Sequence, residues 1–435
     1  MGGSMRAHIR YTETLSGYLD PPSSKNYTTR YLLAAALAPG ESIVHRPASS
    51  DDADAMIRGL RAYGAQITPV PGEQALRVRG VAGKPACPGV IDPGNAGAVL
   101  RLLMGIGALV PEARFRSRFT ESLGQRPHGD LLSALEQLGL QTESVQGRLP
   151  VALRGGPVPG GRVWVSGASS SQFLSALLFV APLLQDGLDI EVRDGLVSRP
   201  LIRTTLEVMR QAGIDVEAAP ELLHFVVPGR QTYQAGEYWV NGDYPSSAAI
   251  LAAGAITGAR ITVGRLFRDS QGERAVIGAL EQMGATIEYD GQQVRLLGPA
   301  PLRGIEFDGD TATDMVLAML AVAALSHGQS RFYNIGNLRL KECDRISVPA
   351  QELTRLGVDC TTGPDWIDIR GCPDGYAGGL EVPTHHDHRV AQMLSIVGLR
   401  CRRGLCVLDA ETVGKSYPCF YHDLRRLGAR IELEQ

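Results

Sequence analysis

Six glycines, spaced 75, 74, 71, 73 and 71 residues apart, each close an apolar helical stretch and are each followed by an apolar residue. The closing signatures read Arg61-Ala62-Tyr63-Gly64, Glu136-Gln137-Leu138-Gly139, Arg210-Gln211-Ala212-Gly213, Glu281-Gln282-Met283-Gly284, Thr354-Arg355-Leu356-Gly357 and Arg425-Arg426-Leu427-Gly428. Glycine just past a helix takes the left-handed conformation that closes the last turn, so each copy predicts helix, cap, strand. A unit of about 70 residues used six times therefore organises the chain, ahead of any single motif.

Each unit opens on a polar, turn-forming cluster that precedes an Ala/Leu-rich stretch too long for a strand. The clusters are Ser23-Ser24-Lys25-Asn26-Tyr27-Thr28-Thr29-Arg30, Asp92-Pro93-Gly94-Asn95-Ala96-Gly97, Ser166-Gly167-Ala168-Ser169-Ser170-Ser171-Gln172, Gly242-Asp243-Tyr244-Pro245-Ser246-Ser247, Asp308-Gly309-Asp310-Thr311-Ala312-Thr313-Asp314 and His385-His386-Asp387-His388-Arg389. These predict helix starts, whose free N–H groups and dipole favour anions. One such cluster is an ordinary cap; six in register, several with Lys, Arg or Asp beyond capping needs, point to a shared anionic site.

Lysine usage points the same way. Of 43 basic residues only Lys25, Lys84, Lys341 and Lys415 are lysines. An ammonium is a compact, rotatable donor suited to a phosphate or a developing oxyanion, where a planar guanidinium does not fit. Three of the four fall in polar clusters: Lys25 in the first, Lys341 beside Glu342 near Arg345, and Lys415 after a Thr-Val-Gly turn. Only Lys84 lacks such a setting.

Composition excludes several classes. A net charge of −3 with three Trp and nine Phe gives no case for nucleic acid. The seven Cys form no Cys-x-x-Cys pair and no zinc spacing with His, so they predict reduced packing residues in a cytoplasmic protein without a metal or other cofactor. The close His385, His386 and His388 lack an obvious carboxylate partner set for a metal. No apolar run has the length of a membrane span. Met1-Gly2-Gly3-Ser4, ahead of Met5, reads as an added leader.

In order and spacing the clusters resemble the enolpyruvyl transferase family, most closely its 5-enolpyruvylshikimate-3-phosphate synthase branch. Pro22-Ser23-Ser24-Lys25 with Arg30, Gly94-Asn95-Ala96-Gly97 with Arg101, and Gln125-Arg126-Pro127-His128-Gly129-Asp130 carry the likeness in the first half. Ser170-Ser171-Gln172, Ser198-Arg199-Pro200, Asp243 with Ser246-Ser247-Ala248, and Asp314 continue it. Asn337-Leu338-Arg339-Leu340-Lys341-Glu342-Cys343-Asp344-Arg345, Asp387-His388-Arg389 and Lys415-Ser416-Tyr417-Pro418 complete it.

The resemblance implies a two-lobed inside-out α/β barrel of six βαβαββ repeats, three per lobe. One lobe would span residues 23–241 and the other 1–22 plus 242–435, with the active site in the cleft between them and the chain a monomer. It implies transfer of the enolpyruvyl group of phosphoenolpyruvate to an acceptor hydroxyl through a tetrahedral intermediate, releasing phosphate. The carried-over catalytic groups are Lys25, Asp314 as base for the acceptor hydroxyl, and Glu342 for proton movement at the alkene carbon. Lys25, Gly97, Arg126, Gln172, Arg345, His388, Arg389 and Lys415 would bind phosphoenolpyruvate. Asn26, Arg30, Ser170, Ser171, Gln172, Ser198, Asp314, Asn337 and Lys341 would bind the acceptor.

Departures concern the acceptor. Asn26 stands where the synthases have serine, and Leu201 where many have tyrosine, both on the ring side of shikimate 3-phosphate. Ala98 and Leu102 replace an expected threonine and proline. Lys25-Asn26 is similar to the pair in the UDP-N-acetylglucosamine branch, but the segment Pro111–Arg126 lacks that branch's reactive Cys. A changed ring pocket beside a kept phosphate pocket suits the branch that attaches enolpyruvate to UMP in nikkomycin and polyoxin antibiotic biosynthesis. The expected acceptor is therefore UMP at its 3′-hydroxyl, with shikimate 3-phosphate as the alternative. The RNA 3′-phosphate cyclases, built from related repeats, fit less well because of the near-neutral charge and the Lys-Glu-x-Asp-Arg segment.

Overall fold

The computed structural model describes residues 5–435; Met1–Ser4, read above as a leader, lie outside the described residues. Contacts divide the chain into two compact units, Ser23–Val240 and Met1–Pro22 with Asn241–Gln435. Each has its own apolar core, one running from Tyr27 to Val240 and the other joining Ala7–Leu19 to residues 244–431.

The unit Ser23–Val240 holds α1 (Lys25–Leu37), α2 (Asp51–Ala62), α3 (Gly97–Ile106), α4 (Gly129–Gln137), α5 (Ser171–Val180) and α6 (Arg199–Gln211). The other holds α7 (Tyr244–Ile256), α8 (Ala275–Gln282), α9 (Val316–Ala324), α10 (Ser347–Arg355), α11 (His388–Gly398) and α12 (Phe420–Arg426). Odd-numbered helices α1, α3, α5, α7, α9 and α11 are buried along almost their whole length, which their Ala/Leu composition permits. In the second unit α7, α9 and α11 pack on one another. A helix apolar all round belongs inside, and here the helices fill the interior.

Six four-stranded sheets cover them, all with one topology: a parallel pair followed by two antiparallel strands, as in Val90–Ile91, Glu112–Phe115, Arg148–Arg154 and Gln141–Val145. Strands alternate buried and open positions, Gln329–Tyr333 for instance, because one face meets helices and the other does not. This is the βαβαββ inside-out α/β class that the family resemblance implied. The chain's first residues complete the second unit: Arg6–Ile9 lies between Leu405–Leu408 and Ile431–Glu434, and Ser16–Leu19 pairs in parallel with Arg260–Val263.

All six signature glycines have positive φ, from 76° at Gly213 to 106° at Gly428. The residue after each donates its N–H five residues back, from Ala65 to Leu60 at 3.1 Å through Ala429 to Leu424 at 2.9 Å. That pair of features is the Schellman closure, so the glycine spacing does mark one recurring helix end.

Five of the six opening clusters lead directly into an α-helix. The fifth does not: Asp310–Met315 is a tight 3-10 turn, broken at Ala312 (φ −149°, ψ 52°), and α9 begins only at Val316. Asp314 is thus not the N-cap that the cluster predicts.

Candidate active site

In the unit Ser23–Val240, Lys25 opens α1 and places its ammonium 3.2 Å from Asp52 in the first turn of α2, both side chains largely buried. Asp52 was not among the expected residues; nothing in its local sequence separates it from an ordinary acidic first turn. Arg30, 1% exposed, donates to the Thr205 hydroxyl at 2.9 Å and to the main-chain carbonyls of Asn26 at 3.0 Å and Leu201 at 3.5 Å. Burial lowers its pKa to about 10.

A second arginine, Arg101 on α3, organises the α5 start. It donates to the Ser170 hydroxyl at 3.0 Å, the Gln172 side-chain oxygen at 2.7 Å and the Pro127 carbonyl at 3.4 Å, and lies over the Phe173 ring. Ser170 also caps α5 by accepting the Gln172 N–H, and Ser171 beside it is buried. Gly97 lets Arg126 lie against the α3 start: a Cβ there would fall 2.8 Å from Arg126 Nη1. Ser198 precedes α6 in the left-handed region, φ 52° and ψ 44°, a strained setting for a non-glycine residue. His128, wholly buried with no partner on either ring nitrogen, is held neutral; burial, then the Arg101 and Arg126 charges, lower its pKa to about 3.

In the other unit one buried arginine gathers the acidic groups. Arg345, 2% exposed, contacts Asp387 twice, at 2.7 and 3.1 Å, Glu342 at 2.9 Å and Asp314 at 3.2 Å. Burial opposes its charge, but the Asp387, Glu342 and Asp314 carboxylates outweigh that and raise its pKa. Four of its five N–H groups are committed to carboxylates this way. The Lys415 ammonium closes on the other oxygen of Glu342. Glu342 therefore sits between Arg345 and Lys415, where the sequence had suggested Arg345 and its neighbour Lys341.

Asp387 caps α11 by accepting the Arg389 N–H at 2.8 Å, and the buried His388 ring lies 3.9 Å from it. Arg389, 3% exposed, donates through Nη1 to the Pro245 carbonyl and the Gln392 side chain, leaving Nε and Nη2 buried without partners. Such a guanidinium edge is costly unless an anion takes it. Asn337 lies within the tight turn Gly336–Leu340 and Lys341 follows it, with the Asn337 side-chain oxygen buried and unpartnered. His385 bonds Glu352 at 3.0 Å, and the described residues hold no group of three His, Cys, Asp or Glu able to bind a metal. All seven cysteines are free, and no helix among the described residues is long and apolar enough to cross a membrane.

A family model described as EPSP synthase (3-phosphoshikimate 1-carboxyvinyltransferase) matches residues 9–424. The chain belongs to the EPSP synthase family. Among relatives, the 3-phosphoshikimate 1-carboxyvinyltransferase of Deinococcus radiodurans is 44% identical over 419 residues, 96% of this chain and 94% of that protein. The one from Burkholderia pseudomallei is 36% identical over 434 residues, 98% and 94% of the two chains. The solved EPSP synthase from Acinetobacter baumannii superposes with a TM-score of 0.83 at 26% identity, covering 99% of this chain and 100% of that one. The enolpyruvyl transferase NikO from Streptomyces tendae gives 0.80 at 18% identity, covering 100% and 99%, and speaks to the fold alone. The protein is an enolpyruvyl (1-carboxyvinyl) transferase.

These relatives, similar over nearly the whole chain, carry the 3-phosphoshikimate name, which favours the alternative acceptor over the UMP expected from Asn26 and Leu201. Both residues also hold Arg30 through their main-chain carbonyls.

Proposed function

We propose that this EPSP synthase family member transfers the enolpyruvyl group of phosphoenolpyruvate to a hydroxyl of shikimate 3-phosphate and releases phosphate. The observation that carries this reading is the 44% identity, across 96% of the chain, to a relative named for that acceptor.

The residues suit each step. Asp314 takes the proton of the acceptor hydroxyl as oxygen attacks the enol carbon, and Arg345 at 3.2 Å keeps its charge compensated. Glu342, held by Arg345 and Lys415, gives a proton to the methylene carbon as oxygen attack opens the double bond, then takes one back from the resulting methyl group as phosphate leaves and the double bond re-forms. Lys25 stabilises the developing anion, with Asp52 fixing its ammonium.

For phosphoenolpyruvate, Arg389 offers its unpartnered Nε and Nη2, and Arg126, Gly97, Gln172, His388 and Lys415 supply further donors. Ser170, Ser171, Ser198 and Lys341 take the acceptor phosphate, and Asn26, Arg30 and Asn337 its ring side. The test is phosphate release from phosphoenolpyruvate with shikimate 3-phosphate as acceptor, with the product's mass identified.

A further inference from the structure

The turn that carries Asp314 is not self-supporting, since its main chain is broken at Ala312. A support comes from another segment. Glu273, in the tight turn Gly272–Arg274, accepts the Asp314 N–H through Oε1 at 3.3 Å. Glu273 is only 8% exposed, and a carboxylate so buried ordinarily has a cation beside it.

Here the surroundings are acidic. The turn Asp310–Met315 packs against it and brings Asp310 and Asp314; α7 brings Asp243 at its cap and Tyr244; and Asp269 and Arg274 lie on its own loop. The side chains whose charge acts on Glu273 are Asp314 and Asp243. Arg345, which bonds Asp314, is also committed to Glu342 and Asp387. Burial, then the Asp314 charge, push the Glu273 carboxyl up to about 7.

We propose that Glu273 is a positioning residue for Asp314 that works in its protonated form: it holds the Asp314 main chain without setting a second negative charge beside the Asp314 carboxylate. Ionisation of Glu273 places two buried like charges against each other and weakens acceptor binding. This rests on the assignment of Asp314 to the acceptor hydroxyl made above.

The test compares wild type, Glu273→Gln and Glu273→Ala in kcat and KM for shikimate 3-phosphate between pH 6 and 9. The ratio of kcat/KM in the Gln variant to that in wild type should rise about three- to tenfold from pH 6 to 8.5, because the amide stays neutral while still accepting the N–H. The Ala variant should raise the acceptor KM about tenfold at pH 6, and by less at pH 8.5 where wild type is itself weakened, with a smaller change in kcat. A Gln-to-wild-type ratio that is flat with pH, or an Ala variant with wild-type KM at pH 6, overturns the proposal. If the Ala variant does not fold, the isosteric Gln variant decides alone.

A melting series without ligand separates this from the reading of the reaction. The Gln variant should gain melting temperature over wild type as pH rises from 5 to 8, and gain less when both carry Asp314→Asn. Absence of that gain overturns the proposal even if turnover is as expected. Its presence, with no turnover of shikimate 3-phosphate by wild type, supports the Glu273–Asp314 coupling while the functional reading fails.

Discussion

Arg345 grips Asp387 through two hydrogen bonds, 2.7 and 3.1 Å long, with both side chains almost wholly buried. The two are 42 residues apart, so the bond ties the Lys-Glu-x-Asp-Arg segment to the start of α11. Breaking one side of a buried pair leaves an uncompensated charge, typically at a loss of about 3–5 kcal/mol. Asp387→Ala should therefore lower the unfolding free energy by about that amount and also cut turnover, since Arg345 positions Glu342 and Asp314. An Asp387→Ala protein of wild-type stability, followed by denaturant titration, would remove the pair from the account.

The carboxylate held between Arg345 and Lys415 is expected to move a proton. Glu342→Gln, and separately Lys25→Met, should each lower kcat by at least ~100-fold while the far-ultraviolet spectrum stays near wild type. Steady-state rates of purified variants check this, and near-normal turnover in either assigns the proton or the anion to another group.

Neutral His128 makes stability depend on acid. Its folded pKa of about 3 lies below that of the unfolded chain, near the ordinary 6.5, so the unfolded state binds the extra proton between those values. Stability is then complete above about pH 6.5 and falls as pH drops, by roughly 2 kcal/mol at pH 5. His128→Met, similar in volume and without titration, should leave stability at pH 8 nearly unchanged and flatten this acid limb. Parallel acid limbs in the two proteins would contradict it.

The repeat can be tested at a position where nothing but the backbone matters. Gly139 has φ 103°, and a Cβ added there meets no atom within 4 Å. Gly139→Ala should cost about 1–2 kcal/mol through left-handed strain alone. A neutral result in equilibrium unfolding would show that the cap glycine is dispensable.

Much of the fold was legible because its signals are local. A helix end that needs positive φ selects glycine, so Gly64 through Gly428 write the repeat into the chain in a form that spacing alone exposes. The start of α9 was misread for an equally local reason. Asp308 accepts the Asp310 N–H at 3.1 Å, as a cap would, but in a turn that breaks at Ala312 before the helix begins. Partners across the chain were not legible: Asp52 for Lys25, Lys415 for Glu342 and Glu273 for the Asp314 main chain lie 27, 73 and 41 residues away.

The acceptor decides the account most directly. Purified enzyme with phosphoenolpyruvate should release phosphate when shikimate 3-phosphate is supplied, at kcat/KM of about 10⁴ M⁻¹s⁻¹ or above, with a product heavier by one enolpyruvyl group, and should stay silent with UMP. Turnover of UMP, with shikimate 3-phosphate inert, would contradict it.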